Sequence, residues 1–245
     1  MRNTLLSLFS TLCFIGISLQ VLGQKENVSK GFVTKKGIEE LKEVPVKLIP
    51  YPDSVLWERG ERIVVDGLEL QGEGNISESL WNECYDIIGE KDFLPTKKNL
   101  LIITLEKIPK LEREAYNLMA SQEGVTIQSN TEEGFYYGLK TLRQLIIQEN
   151  GIHYVPRVKI YDKPRFPIRG FMIDAGRNYQ DLELIKEHLE IMSDYKLNVF
   201  HWHLTDRPAW RIESKAYPQL TAAENHREGR NAGSYYSYTL VSGKK

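Results

Sequence analysis

Residues 170–206, GFMIDAGRNYQDLELIKEHLEIMSDYKLNVFHWHLTD, divide into strand, helix and strand. Phe171–Ile173 is a short apolar run. Within Leu182–Tyr195, residues Leu182, Ile185, Leu189 and Met192 recur at steps of three and four, which lines one face of a helix with apolar side chains. Leu197–Leu204 then supplies a second strand. At this separation the three pieces make a βαβ unit, with parallel strands joined by a right-handed crossover. Two parallel strands alone leave open edges and an uncovered helix face, so the unit demands more strands than this segment carries.

In parallel α/β architectures, ligands meet residues at the carboxyl ends of the strands and in the loops just beyond. The first strand end carries Asp174 and Arg177; the second carries His201, Trp202, His203 and Asp206. Charged and aromatic groups so placed can hold a hydroxylated ring by hydrogen bonds and stacking. Each also has a structural role open to it. Asp174 can cap the following helix or pair with an arginine, Arg177 can anchor a loop or grip a substrate, and Trp202 can be core or platform. Strand alternation puts Trp202 on one face and the two imidazoles on the other. His201 and His203, two apart on a strand, could also ligate one ion. A metal-dependent hydrolase is therefore a competing reading; it needs ligands on later strands, and the sequence offers none at convincing spacing.

Upstream, Pro164 and Pro167 punctuate the chain and the rhythm changes. Arg62–Val65, Leu68–Leu70, Leu100–Leu105 and Gly124–Gln128 are strand-like, and VPRVKIYD (155–162) closes the region before Lys163. Glu78–Ile88 and Gly134–Gln148 have helical spacing. In the second, Phe135, Leu139, Leu142 and Leu145 (or Ile146) form a stripe that must face a sheet. VPVKLIPYP (44–52) suits an opening strand and turn. Strands mixed with two helices imply an α+β layer domain over residues 44–163, ahead of the βαβ region at 164–245.

Residues 24–43 are polar and rich in Lys and Glu, and read as a linker or short surface helix. Residues 1–23 place Arg2 before an apolar stretch that runs from Leu5 to Leu22 and ends at Gly23, the layout of a secretory signal peptide. A retained membrane anchor is the alternative, since the stretch approaches spanning length, although its Ser and Thr residues favour removal. The expected location is secreted or periplasmic, with no membrane contact once the signal is removed. The 245 residues carry 32 Lys+Arg against 33 Asp+Glu, a formal charge of −1 that gives no electrostatic reason to expect nucleic acid or anionic membrane. An uncharged partner fits better. Cys13 leaves with the signal, so Cys84 becomes the sole cysteine: it can close no intrachain disulfide and reads as a small buried residue.

With these residues in view, the chain strongly resembles the family-20 glycoside hydrolases, the β-N-acetylhexosaminidases. The likeness rests on RFPIRGFMID (165–174), RNY (177–179) and YKLNVFHWHLTD (195–206), with EAYNL (114–118) and GFYYGLKTLRQL (134–145) similar to the family's accessory domain. It covers residues 44 to about 220. It implies an α+β accessory domain followed by the first βαβ unit of a truncated (β/α)8 TIM barrel. It implies further that Arg177 holds hydroxyls of a terminal sugar, and that Asp206 belongs to a carboxylate and histidine relay tuning a catalytic acid. Asp174, His201 and His203 would shape the pocket. The family's mechanism is substrate-assisted: the substrate's acetamido oxygen attacks the anomeric carbon, while an adjacent Asp-Glu pair steadies the acetamido group and protonates the leaving oxygen. The resemblance implies N-acetylhexosamine-containing glycans as partners, no cofactor and no metal; it leaves the oligomeric state open.

The sequence departs from the family at one decisive place. No Asp in the chain is followed by Glu, and the family's Pro-Gly-His segment and later pocket tryptophans are missing. The doublets Glu39-Glu40 and Glu132-Glu133 lie far from the strand ends and read as solvated charges. The expectation is an incomplete catalytic domain, inactive alone; a non-catalytic carbohydrate-binding or structural module is the alternative.

Overall fold

A computed structural model of the protein describes residues 44–72, 77–90, 99–207, 209–225 and 235–236. The expected signal peptide and polar lead lie outside these residues. The described elements belong to one unit, Val46–Lys245.

Its frame is a six-stranded sheet built from β1 (Ser54–Trp57), β3 (Gly67–Gly72), β4 (Leu100–Lys107), β5 (Tyr116–Ser121), β6 (Gly124–Ser129) and β9 (Val158–Asp162), in the order β1-β9-β5-β6-β4-β3. The strands β4, β5 and β6 alternate buried and half-exposed residues along their length. That period of two commits one face to the core. Leu101, Ile103, Leu105, Leu118, Val125 and Ile127 make up much of that face, each buried. Two helices cover it: α1 (Glu78–Glu90), through Leu80, Cys84 and Ile87, and α2 (Glu132–Leu145), through Leu139, Leu142 and Leu145. Thr131 starts α2 by accepting the Gly134 N–H, a side-chain cap. The helix lies so close to the sheet that a Cβ on Gly138 would fall 2.5 Å from Ile127 Cγ2. Short strands β2 (Ile63–Val65), β7 (Ile147–Glu149) and β8 (Ile152–Val155) form a second, three-stranded sheet.

Several expectations need correction. The opening strand at 44–52 is absent: Val46 and Leu48 are buried, but the Ile49 N–H and carbonyl are both hydrogen-bonded to the Gln144 side-chain amide, at 2.8 Å each. A side chain thus satisfies the backbone groups that a strand would have paired. The second helix stops at Leu145 rather than Gln148, and Ile147–Glu149 turns directly into a hairpin. β1 and β5 are strands that the local pattern did not reveal.

After Pro167 the chain forms β10 (Gly170–Asp174), α3 (Leu182–Asp194) and β11 (Val199–His203), and the two strands pair in parallel. Asp181, not Asp174, caps α3, its carboxylate accepting the Leu184 N–H at 2.8 Å. Ile185 and Met192 are buried, whereas Leu189, Phe171, Met172 and Val199 are more than 40% exposed. The apolar stripe of α3 is therefore only partly covered within the described residues.

What joins this βαβ unit to the α+β layer is a set of buried polar contacts. Lys196 has φ +56 in the turn between α3 and β11 and is 7% exposed. Its Nζ donates at 2.8 Å to both Asp162 Oδ2, at the end of β9, and Tyr116 Oη, at the start of β5. Tyr116 Oη also lies 2.6 Å from Thr141 Oγ1 of α2. Around this centre Arg169 pairs with Glu114 at 3.2 Å and donates to the Lys196 carbonyl at 2.7 Å, while Arg143 reaches Asp194 at 2.9 Å. Burial pushes the Lys196 ammonium down and the Tyr116 phenol well up from their ordinary ranges.

Two outcomes follow from this packing. Lys196→Met strands the buried Asp162 carboxylate and should cost roughly 3–5 kcal/mol in urea unfolding, with most of the loss recovered when Asp162→Leu is added; equal losses in the single and double variants would show that the pair is unimportant. Cys84 is 2% exposed, and burial pushes its thiol up to about 11. It should resist a thiol reagent in the native protein and react on unfolding; fast native labelling would contradict the packing.

Candidate functional site

The register of β10 against β11 sorts the strand-end residues between two faces. Met172 lies opposite His201 and Asp174 opposite His203, so the imidazoles share a face with the Asp174 carboxylate. Phe171 lies opposite Phe200 and Ile173 opposite Trp202 on the other face, where Phe171 stacks on His188 of α3 at 6.0 Å. Trp202 meets Tyr236 edge-on at 4.5 Å, and Tyr236 stacks on Tyr179 at 5.0 Å. Of its two possible roles, Trp202 takes the packing one here.

Beyond β11, the two-residue strands β12 (Thr205–Asp206) and β13 (Ala209–Trp210) pair antiparallel and turn the chain back. Asp206 can then approach the loop after β10 because residue 176 is glycine. The Gly176 N–H donates to the His203 carbonyl at 3.0 Å, and a Cβ at residue 176 would sit 2.9 Å from the Asp206 backbone nitrogen. The touching loops bring Asp174, Arg177, His203 and Asp206 together.

Arg177 is the hinge of the group. Its Nε lies 2.9 Å from Asp206 Oδ2 and 3.2 Å from Asp174 Oδ2. Asp174 Oδ1 accepts the Arg177 backbone N–H at 2.9 Å, and Asp206 Oδ1 accepts the Arg207 backbone N–H at 2.6 Å. Asp174 therefore takes the arginine-pairing role and not the helix-capping one. The hydrogen bond from Arg177, then the Arg207 amide, hold the Asp206 carboxyl below the ordinary aspartate range, and the Asp206 hydrogen bond pushes the guanidinium up. Because the Asp206 shift is downward, its contribution to the fold is present above the ordinary aspartate range and is lost as pH falls through the lowered value. Only Nε of the guanidinium is committed. The Arg177 side chain is 68% exposed, and its Nη groups have no partner among the described residues.

His203 Nε2 lies 2.8 Å from the Thr205 carbonyl. A carbonyl only accepts, so Nε2 is the donor in this contact. Donor atoms of Asp174, His203 and Asp206 fall within 4.8 Å of one another. This trio differs from the His201–His203 pair that the sequence offered for a metal, whose rings instead stack with centroids 5.9 Å apart. A divalent ion bridging Asp174 and Asp206 would have to compete with the guanidinium already shared between them. The arrangement is that of a cationic donor fixed by two carboxylates.

Two supporting residues were not foreseen. Arg211 is 1% exposed, donates from Nε to the Ala175 carbonyl at 3.1 Å and lies over the Tyr179 ring at 5.8 Å. Its backbone accepts the Tyr236 N–H at 2.8 Å, and the Tyr236 hydroxyl donates to the Gln180 carbonyl. Arginine is seldom fully buried, and no local pattern around Arg211 marks it.

Models for glycosyl hydrolase family 20 match in two adjoining stretches, its domain 2 over residues 46–163 and its catalytic domain over residues 166–242. A beta-hexosaminidase of Porphyromonas gingivalis is 33% identical over 240 residues, which cover 92% of this chain and 30% of that protein. One of Akkermansia muciniphila is 39% identical over 134 residues, covering 54% of this chain and 27% of its own length. Among solved structures, the β-N-acetylhexosaminidase of Bacteroides fragilis superposes with a TM-score of 0.67 at 29% identity, over 80% of this chain and 41% of that one. The chain thus spans less than a third of the length of these curated relatives. In sequence and in fold, the chain belongs to glycosyl hydrolase family 20, of which it carries the accessory domain and part of the catalytic domain.

Proposed function

We propose that this chain is part of an exo-β-N-acetylhexosaminidase that releases terminal β-linked N-acetylglucosamine or N-acetylgalactosamine. The observation that carries this reading is Arg177, fixed through Nε by Asp206 and Asp174 at the carboxyl ends of two parallel strands, with its Nη groups unpartnered among the described residues. A planar, always charged fork held in this way can donate two hydrogen bonds to neighbouring hydroxyls of one sugar ring. Holding the fork in place beforehand lowers the ordering cost of binding. Asp206 both orients the guanidinium and, on this reading, belongs to the relay that tunes a catalytic acid.

In the reaction, the acetamido oxygen of the bound sugar attacks the anomeric carbon as the glycosidic bond breaks, and the leaving oxygen takes a proton from an enzyme carboxylic acid. Water then opens the cyclic intermediate, returning a proton to that carboxylate and retaining configuration. The chain contains no adjacent Asp-Glu pair to steady the acetamido group and supply the proton, so on this reading it is inactive by itself. The exposed apolar residues of β10, α3 and β11 support continuation into a (β/α)8 barrel, since a parallel pair with uncovered faces needs neighbouring βα units. The apolar segment at residues 1–23 supports export to a secreted or periplasmic location. No cofactor enters this chemistry.

Joining this chain in frame to the remaining catalytic-domain sequence of one of its curated relatives should create hydrolysis of a chromogenic β-N-acetylglucosaminide. A properly folded fusion without activity would favour a non-catalytic carbohydrate-binding role. In the active fusion, Arg177→Ala should lower kcat/KM roughly ten- to hundredfold, the loss expected for a charged hydrogen bond to a sugar hydroxyl; unaltered kinetics would make Arg177 structural. Asp206→Asn should displace one limb of the pH–rate profile, and an unmoved profile would take Asp206 out of the relay.

A further inference from the structure

The face of the six-stranded sheet opposite α1 and α2 is half-exposed, and its side chains are ordered in cross-strand rows. One row runs Tyr161, Asn117, Gln128, Glu106 across β9, β5, β6 and β4, each residue directly opposite the next. Asn117 Nδ2 donates to Gln128 Oε1 at 3.3 Å, and Gln128 Nε2 donates to Glu106 Oε2 at 2.8 Å. The polarity of this ladder is forced. A carboxylate only accepts, so Gln128 must turn its NH₂ to Glu106 and its carbonyl to Asn117, which must turn its own NH₂ inward. Each amide keeps one N–H to spare; Asn117 Oδ1, Glu106 Oε1 and the Tyr161 hydroxyl also have no protein partner among the described residues.

The spare groups recur at the strand spacing of about 4.8 Å, comparable to the length of one pyranose ring. The neighbouring row is Lys159, Met119, Thr126 and Thr104, again directly opposite one another. The Lys159 ammonium at its margin is held by Glu58 at 2.6 Å. The face is therefore rich in fixed donors and acceptors, with one carboxylate, Glu106, on β4; a tyrosine ring ends the row, and a methionine lies in the row beside it. Glu106 would repel a phosphate backbone. A peptide adding as a strand would seek a sheet edge rather than this face.

We infer that the Tyr161–Asn117–Gln128–Glu106 row is a glycan-binding surface, taking an uncharged, extended oligosaccharide across the strands. Hydroxyl and acetamido groups of successive units pair with Asn117, Gln128 and Glu106, and one ring packs on Tyr161. Such a surface would hold a polymer beside a catalytic domain that trims its end. The choice of N-acetylhexosamine units rests on the proposed function above; the location of the surface does not.

The test is calorimetric titration of the 245-residue chain with the β-1,4-linked tetramer of N-acetylglucosamine, using Gln128→Ala, Tyr161→Ala and Arg177→Ala, with circular dichroism to verify each fold. Saturable binding that weakens roughly tenfold in each of the two sheet variants is the expected result. Absence of saturable binding, or equal binding by the wild type and both sheet variants, would overturn the inference. Loss in Arg177→Ala alone would place the tetramer at the strand ends, which overturns this surface while upholding the proposed function. Should a sheet variant misfold, Asn117→Ala, in the same row, is read in its place.

Discussion

The buried contact between Lys196 and Asp162 fixes the frame on which the strand-end cluster stands. Lys196 sits between α3 and β11, and Asp162 ends β9, so one ammonium joins the βαβ unit to the six-stranded sheet. An ammonium so little exposed survives only if its partners are in place. Both Asp162 and the Tyr116 hydroxyl are there at 2.8 Å, with Thr141 tying Tyr116 to α2. A charge pair of this kind has little tolerance for sliding, because any shift leaves a charge unpaired in the interior. The accessory layer is thus a rigid base from which β10 and β11 project.

The opposite ends of those strands are organised on a different principle. There the carboxylates of Asp174 and Asp206 face solvent in part, and a largely exposed guanidinium lies between them. Exposed ion pairs add little to stability, and what the pair achieves is orientation: Nε is spent on the anchors, while the Nη groups have no partner among the described residues. Gly176 makes this possible by letting the two loops touch, and the buried Arg211 fixes the Ala175 carbonyl. Rigid support beneath and a fixed donor above are what a sugar-recognising site needs.

Much of this could be read from the sequence wherever an apolar period carried it. The stripes of α2 and α3, and the strands at 100–105, 124–128 and 197–204, the last narrowed to 199–203 in the structure, follow directly from spacing, and so does the placing of His201 and His203 on one face. Other parts depend on contacts remote in sequence. Tyr116–Ser121 has no β-branched residue and is a strand because β6 and β9 flank it. The hairpin of β7 and β8 carried a local signal, Asn150-Gly151, both with positive φ in the two-residue turn. Arg177 and Asp206 were visible as candidates through the family motifs, but their mutual pairing was not, since it depends on the return of the chain through β12. Arg211, Tyr236 and the Lys196 network left no local trace, because a buried polar residue is defined by what surrounds it in space.

The central claim is that Arg177, anchored by Asp206 and Asp174, is the part of this chain that grips the sugar. It is tested most directly by a crystal structure, with N-acetylglucosamine bound, of the chain joined to the rest of a family-20 catalytic domain. The account predicts the Arg177 Nη atoms within hydrogen-bonding distance of ring hydroxyls while Nε stays on Asp206. A sugar bound with Arg177 turned away, or bound at a site that excludes both strand ends, would contradict it.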